Sequence, residues 1–282
     1  MKGILLVLAK RYIAGAERQD AIRTALALND IGIKATIDNL GENVRTPAQA
    51  AWSVAEYLDL LKDIKASGAD SQISLKLTHM GLDISPELAI ENLETIVKKA
   101  REDGNFVRVD MEGSKYTQAT IDIFLQLRKK YPNIGVALQS ALKRSVDDAR
   151  IITAAGGSIR IVKGAYKEPA SIAFKDKREV YTSFEEIMKG LLLTATRPAI
   201  ATHDERLLDV AKKFADENGV SKRSFDFEML LGIKRSLQRG LAREGYSVRV
   251  YVPYGREWLQ YTLRRLGERK ENVWFVLKNI FD

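Results

Sequence analysis

Eight times along this chain a short apolar run gives way to a stretch of helical periodicity, and that repetition narrows the fold more than any other feature. The runs lie at 33–42, 72–81, 105–114, 133–141, 157–166, 197–205, 223–232 and 247–255. Helical stretches at 47–67, 86–103, 117–131, 145–155, 176–194, 205–218 and 233–243 separate them, and Trp258, Leu259, Thr262 and Leu263 recur at helical spacing after the last. Near-continuous apolar strands alternating with amphipathic helices indicate a parallel sheet covered by helices. Eight such units in 282 residues favour an α/β fold of the closed (β/α)8 TIM-type over an open doubly wound sheet. No G-x-G-x-x-G follows the first strand, which also counts against the open nucleotide-binding sheet. Residues 1–32 are read as a short N-terminal helical extension, and ENVWFVLKNIFD (271–282) as a tail helix. No linker interrupts the chain, so 1–282 is expected to be one domain.

Composition removes several function classes. With no cysteine there is no disulfide or thiolate metal site, and two histidines, His79 and His203, leave little for a zinc centre or a Ser/His triad. The net charge of +8 is spread among interleaved acids and bases and by itself decides nothing about partners, but with no recognition motif in the chain no nucleic-acid partner is expected. The opening MKGILLVLAKRY is too short for a signal core and no segment reaches the length of a membrane span. A cytoplasmic location is expected.

In such barrels chemistry gathers where strands end and βα-loops begin. The polar residues at those ends are Asp38 and Glu42, Lys76 and His79, Asp110 and Glu112, Gln139, then Arg160, Lys163 and Tyr166, then Thr202, His203 and Asp204, then Glu228, and last Tyr251. Arg264 and Arg265 follow on the final helix, with Tyr254 and Tyr261 nearby. This rim suits an anionic or electron-rich ligand, and paired guanidiniums between aromatic rings suit a small carboxylate. Lys163 admits several readings: a Schiff-base lysine, a fixed charge beside an anionic cofactor, or a structural lysine paired with a carboxylate such as Glu228. His203 is a ligand, a stacking platform or a satisfied core histidine, and Asp110 is a base or the neutraliser of Lys76 or an arginine.

Seven blocks at successive strand ends carry a resemblance. DNLGENV (38–44), SLKLTHMGLD (74–83), VRVDMEGS (107–114), IRIVKGAYKEP (159–169), ATHD (201–204), FDFEMLLGI (225–233) and VYVPYGREWLQYTLRRLGER (250–269) resemble, in order, those of the proline dehydrogenases. The likeness is strongest to the single-function bacterial, FAD-dependent type, without a fused aldehyde dehydrogenase. It implies oxidation of L-proline to Δ1-pyrroline-5-carboxylate by hydride transfer to FAD N5, the first step of proline catabolism. Lys76, Arg264 and Arg265 would hold the substrate carboxylate, with Leu230, Tyr251 and Tyr261 around the ring. Asp110 and Arg160 would be catalytic, Arg160 lying against the flavin. Met111, Gln139, Lys163, Gly164, Ala165, Tyr166, Thr202 and His203 would surround the cofactor, with no metal. The electron acceptor implied is a quinone, which brings in peripheral contact with a membrane, and an oligomer is left open. Relatives often carry more helix ahead of the barrel. The enzymatic alternative is a Schiff-base aldolase-like barrel built on Lys163.

Overall fold

The computed structural model describes residues 11–258. Arg264, Arg265, Tyr261 and the expected tail helix lie outside the described residues. Helix α1 (Arg18–Asn29) leads into β1 (Lys34–Asn39), and seven further helix–strand pairs follow. These are α2 (Pro47–Ser67) with β2 (Ser71–Leu75), α3 (Pro86–Glu102) with β3 (Val107–Val109), and α4 (Ser114–Arg128) with β4 (Ile134–Gln139). Then come α5 (Ser145–Ala154) with β5 (Ser158–Val162), α6 (Lys177–Thr194) with β6 (Ala199–Ala201), α7 (Glu205–Glu217) with β7 (Asp226–Leu230), and α8 (Arg235–Arg243) with β8 (Ser247–Tyr254). The strands pair in sequence order, all parallel, and β8 returns to β1 to close the barrel. Thr36 faces Tyr251 across that closing seam, and Asp38 faces Pro253.

The helices form for local reasons that the sequence carries. At α2, Thr46 accepts from the Gln49 amide, Gln49 answers in a capping box, and Pro47 occupies the first turn, where its missing N–H costs nothing. Gly68 stops the helix at φ 70°, a left-handed conformation that glycine adopts without strain. Between these ends Ala50, Val54, Tyr57, Leu61 and Ile64 recur every three or four residues and are buried against the barrel. Each fully buried leucine or isoleucine of this kind is worth roughly 1.5–3 kcal/mol.

The strands differ from the near-continuous apolar runs expected of them. Their helix-facing side is apolar, with Ile37, Ile73, Val107, Val109, Val136, Ile159, Ile161, Phe227, Val248, Val250 and Val252 all buried. The side facing the barrel axis is polar. Thr36, Asp38, Gln72, Ser74, Arg108, Ser158, Arg160, Glu228 and Arg249 are buried there as well. Cross-barrel bonds show that these side chains meet: Gln72 donates to Thr36 at 3.0 Å and to Glu228 at 3.3 Å. The charges are balanced by pairing, Arg249 with Asp226 at 3.1 Å and Arg160 with Glu228 at 2.5 Å. Among the described residues Arg108 has no carboxylate partner of that kind. It donates to the Ser158 carbonyl at 3.0 Å, packs over the Phe106 ring, and is pushed down to about 9 by burial and by Arg160. Buried charges persist only when paired and hydrogen-bonded, so this axis must assemble as a set.

Candidate active site

Alternation along each strand decides which side chains reach the mouth of the barrel. In β2 and just past it, Gln72, Ser74 and Lys76 share the axial face and climb toward the C-terminal end. Arg108 and Asp110 do the same from β3, Ser158 and Arg160 from β5, and Arg249 and Tyr251 from β8.

These arms converge on Asp110. Its Oδ1 accepts from Arg160 Nη1 at 2.7 Å and from the Ser74 hydroxyl at 2.7 Å. Its Oδ2 accepts from the Tyr251 hydroxyl at 2.7 Å, and Lys76 Nζ lies 3.4 Å away. The Arg160 guanidinium also sits over the Tyr251 ring, 5.5 Å from its centroid. Burial works to raise the Asp110 carboxyl, but Lys76 and Arg160, with the bonds from Ser74 and Tyr251, hold it below the ordinary carboxylate range. It is an anion, and of the two roles expected for it the geometry displays the neutraliser. Lys76 bridges to a second acid, Asp38, at 3.3 Å. Burial works to lower Lys76, and Asp38 and Asp110 more than offset it, so Lys76 stays charged. Asp38 itself is pushed up to about 6 by burial, with Lys76 opposing and Asp110 adding to the rise.

A second group of residues lines the loops after β4, β5 and β6. Gln139 donates to the Glu112 carbonyl at 2.9 Å, tying the end of β4 to the buried Met111–Glu112 turn after β3. Gly164 has φ 111°, and a Cβ added there would stand 3.1 Å from Gln139 Oε1 and 3.2 Å from the Ala141 methyl. Only glycine allows the chain so close to β4 in that conformation. Ala165 and Tyr166 follow on the exposed part of the loop. Thr202 Oγ1 accepts from the Asp204 amide at 3.1 Å, and His203 Nε2 accepts from the Leu230 amide at 2.8 Å. An Nε2 that accepts is unprotonated, so His203 carries its proton on Nδ1 (assigned from this bond).

Lys163 stands just past β5, not within it. It pairs with Asp204 at 2.7 Å and meets the Tyr181 hydroxyl at 2.9 Å, with Nζ 4.2 Å from the Tyr181 centroid. The carboxylate partner is therefore Asp204, while Glu228, suggested above, belongs to Arg160. A lysine so engaged is not the unpaired amine that imine formation requires. Lys163 and Tyr181 hold Asp204 below the usual carboxylate range against the opposing effect of burial.

Every expected site residue among the described residues thus lies at the C-terminal mouth. Sequence reasoning passed over three contributors. Ser74 was legible, because it alternates with Gln72 and Lys76. Tyr57 donates to the Ser74 carbonyl at 2.9 Å and approaches Asp38 at 3.4 Å, and Tyr181 donates to Asp204. Both come from helix faces whose periodicity reads simply as core.

Comparison with known proteins decides the family. The family model described as proline dehydrogenase matches residues 21–278. This chain belongs to the proline dehydrogenase family. Proline dehydrogenase 1 of Bacillus subtilis (strain 168) is 38% identical over 272 residues, covering 96% of this chain and 90% of the relative. The proline dehydrogenase of Deinococcus radiodurans is 37% identical over 278 residues, covering 97% of this chain and 90% of the relative. Among solved structures, proline utilization A (PutA) from Bdellovibrio bacteriovorus, inactivated by N-propargylglycine, superposes with a TM-score of 0.88 at 23% identity. It covers 95% of this chain, which spans only 33% of that larger protein, and at this identity the likeness shows the barrel fold alone. No helix among the described residues is long and apolar enough to cross a membrane.

Proposed function

We propose that this proline dehydrogenase oxidises L-proline to Δ1-pyrroline-5-carboxylate at the barrel mouth with FAD as the cofactor. The observation that carries the reading is the set of donors on Asp110, in a chain that matches the family from residue 21 to 278. Lys76 is a charged donor at the mouth, and Arg264 and Arg265, outside the described residues, would complete a carboxylate clamp that fixes which C–H bond is presented. Leu230 and Tyr251, with Tyr261 outside the described residues, would pack the pyrrolidine ring, and Tyr251 is oriented for this by its bond to Asp110. Asp110 keeps Lys76 and Arg160 in register.

The residues after β4, β5 and β6 fit a flavin. Arg160 Nη2 is buried with no hydrogen-bond partner among the described residues. A donor left in that state is suited to an acceptor supplied by a ligand. Gly164 brings the loop backbone close against Gln139 and Ala141, an approach that a side chain there would crowd. Arg160 and Lys163 provide positive charge for an electron-rich ring, and Met111, Gln139, Gly164, Ala165, Tyr166, Thr202 and His203 form its surroundings. When bound, FAD supplies the acceptor for the hydride from proline C5. Arg160 and Lys163 would supply the positive charge that stabilises the reduced ring.

A quinone is the second acceptor in this reading, reached through peripheral contact with a membrane, with oligomerisation left to solution measurement. The test is the visible spectrum of the FAD-loaded protein on adding L-proline without oxygen. Bleaching is expected. A loaded protein that stays yellow removes proline as the substrate, and a protein that never retains FAD removes the cofactor. Borohydride trapping in the presence of substrate should leave Lys163 unlabelled.

A further inference from the structure

Helix α4 begins without a cap of its own. Gly113 at its N-cap has no side chain to offer, and no acidic residue stands in its first turn. The first amides of a helix need acceptors, and the positive end of the helix dipole favours an anion there. Glu168 supplies both from 54 residues downstream: its Oε1 accepts from the Ser114 amide at 2.7 Å, and its Oε2 from the Ser114 hydroxyl at 2.5 Å. Both carboxylate oxygens are spent on one residue, and Tyr166 comes up to the same glycine, since a Cβ on Gly113 would lie 3.7 Å from Glu168 Oε1 and 3.8 Å from Tyr166 Cδ1.

Glu168 stands on the loop from Lys163 to Asp176, which is stapled to the β4–α5 turn on either side of it. The Ala141 amide donates to the Lys163 carbonyl and the Phe174 amide to the Ala141 carbonyl, each at 2.9 Å. Lys143 holds Ile172 through its amide and Ala170 through its ammonium, also at 2.9 Å. The stretch 164–168 spans from those staples to α4, and the Glu168 side chain makes its tie to that helix. That stretch is the one whose backbone passes Gln139 at Gly164.

We infer that Glu168 is a positioning residue, a latch from the β5–α6 loop to the N-terminus of α4 that holds Gly164, Ala165 and Tyr166 in place for the cofactor. The cofactor half of this rests on the flavin reading above. The latch half rests on the capping geometry alone.

The experiment compares the full chain with Glu168→Ala, Glu168→Gln and Ser114→Ala. One arm is limited trypsin digestion without FAD, with cuts after Lys167 and Lys175 followed by mass spectrometry, both lysines being exposed. The other is the Kd of FAD for the apoprotein by flavin fluorescence. Glu168→Ala should be cut in this loop at least fivefold faster with other sites unchanged, and should bind FAD at least fivefold more weakly. Glu168→Gln, which keeps an oxygen acceptor, should recover part of both, and KM for proline at saturating FAD should stay within twofold. A general loss of structure would speed every cut and move KM as well, and Ser114→Ala then carries the test through the partner residue. Unchanged cutting in the loop overturns the latch. Faster cutting with unchanged FAD affinity overturns the positioning role. A wild-type chain that binds no FAD overturns the flavin reading, and the digestion arm still decides the latch.

Discussion

The imidazole of His203 accepts a hydrogen bond from the main-chain amide of Leu230 at 2.8 Å, joining the loop after β6 to the end of β7. In the proposed reading His203 belongs to the cofactor side and Leu230 to the substrate side. One bond therefore sets the spacing of the two.

That bond fixes the tautomer. Nitrogen-15 shifts of His203 should report a proton on Nδ1 and a bare Nε2, and the opposite tautomer would contradict the geometry. His203→Phe, similar in shape but with no acceptor, leaves the Leu230 amide unmet at a cost of about 1–3 kcal/mol. Chemical denaturation should show that loss, and KM for proline should rise with it.

Asp110 holds three firm donors and Lys76, so its charge matters more than its shape. Asp110→Asn leaves Lys76 and Arg160 with less compensation, and breaking a buried pair this way costs on the order of 3–5 kcal/mol. A lower Tm and a kcat/KM reduced on the order of a hundredfold are expected. A variant with both parameters near wild type would remove Asp110 from the organisation of the mouth.

Tyr251 separates into ring and hydroxyl. Tyr251→Phe keeps the ring and removes the hydroxyl that donates to Asp110, a bond worth about 1.5–3 kcal/mol for a charged acceptor, and should lower kcat/KM by roughly tenfold or more. Tyr251→Ser also empties the space beside Arg160 and should weaken the rejection of 4-hydroxyproline. Kinetics on both substrates checks this, and unchanged discrimination would take the ring out of the pocket wall.

Arg264 and Arg265 are expected to act on the substrate rather than the cofactor. Arg264→Met or Arg265→Met should raise KM for proline strongly while flavin stays bound. Flavin lost on purification of either variant would reassign the residue to the cofactor.

Two buried groups give opposite pH signatures. Burial, and then Lys76, pushes His79 down to about 3, whereas in the unfolded chain it titrates near 6.5. The unfolded state therefore takes the proton first as pH falls. This contribution is complete above about pH 6.5 and is lost toward pH 3, a span of roughly 3–5 kcal/mol. Asp38 is raised to about 6, so the native state binds a proton that the unfolded chain releases between roughly pH 4 and 6. That contribution grows toward acid. Urea denaturation from pH 7 to 4 should show His79→Gln flattening the acid loss and Asp38→Asn steepening it. Slopes that both match wild type would mean neither group is shifted as described.

Much of the barrel was legible in the residues themselves. Eight apolar runs alternating with stretches of helical period, one of them bounded by Thr46–Pro47 and Gly68, leave few topologies open, because parallel strands need crossovers and crossovers need helices of this length. The positions of Lys76, Asp110, Arg160 and Tyr251 at strand ends were legible for the same reason, while Leu230 came only from the resemblance. Of their partners, Lys76 for Asp110 was legible and the rest were not. That Lys163 meets Asp204 and not Glu228 depends on the height at which β5, β6 and β7 stop, which no local pattern states. Tyr57 and Tyr181 reach the mouth from helices whose stripes read as ordinary core.

The sequence by itself determined the strand–helix alternation, the mouth as the place for chemistry and, through seven ordered blocks, the family. Only the tertiary structure decided that the barrel axis is a paired ionic column, that Asp110 is the acceptor on which β2, β5 and β8 meet, and that Glu168 caps a helix 54 residues before it. Local propensity and hydrophobic period act within a few residues and can be read along the chain. Charge compensation and capping from a distance depend on which side chains closure of the barrel brings within about 3 Å of one another, and that is fixed only when the eighth strand meets the first.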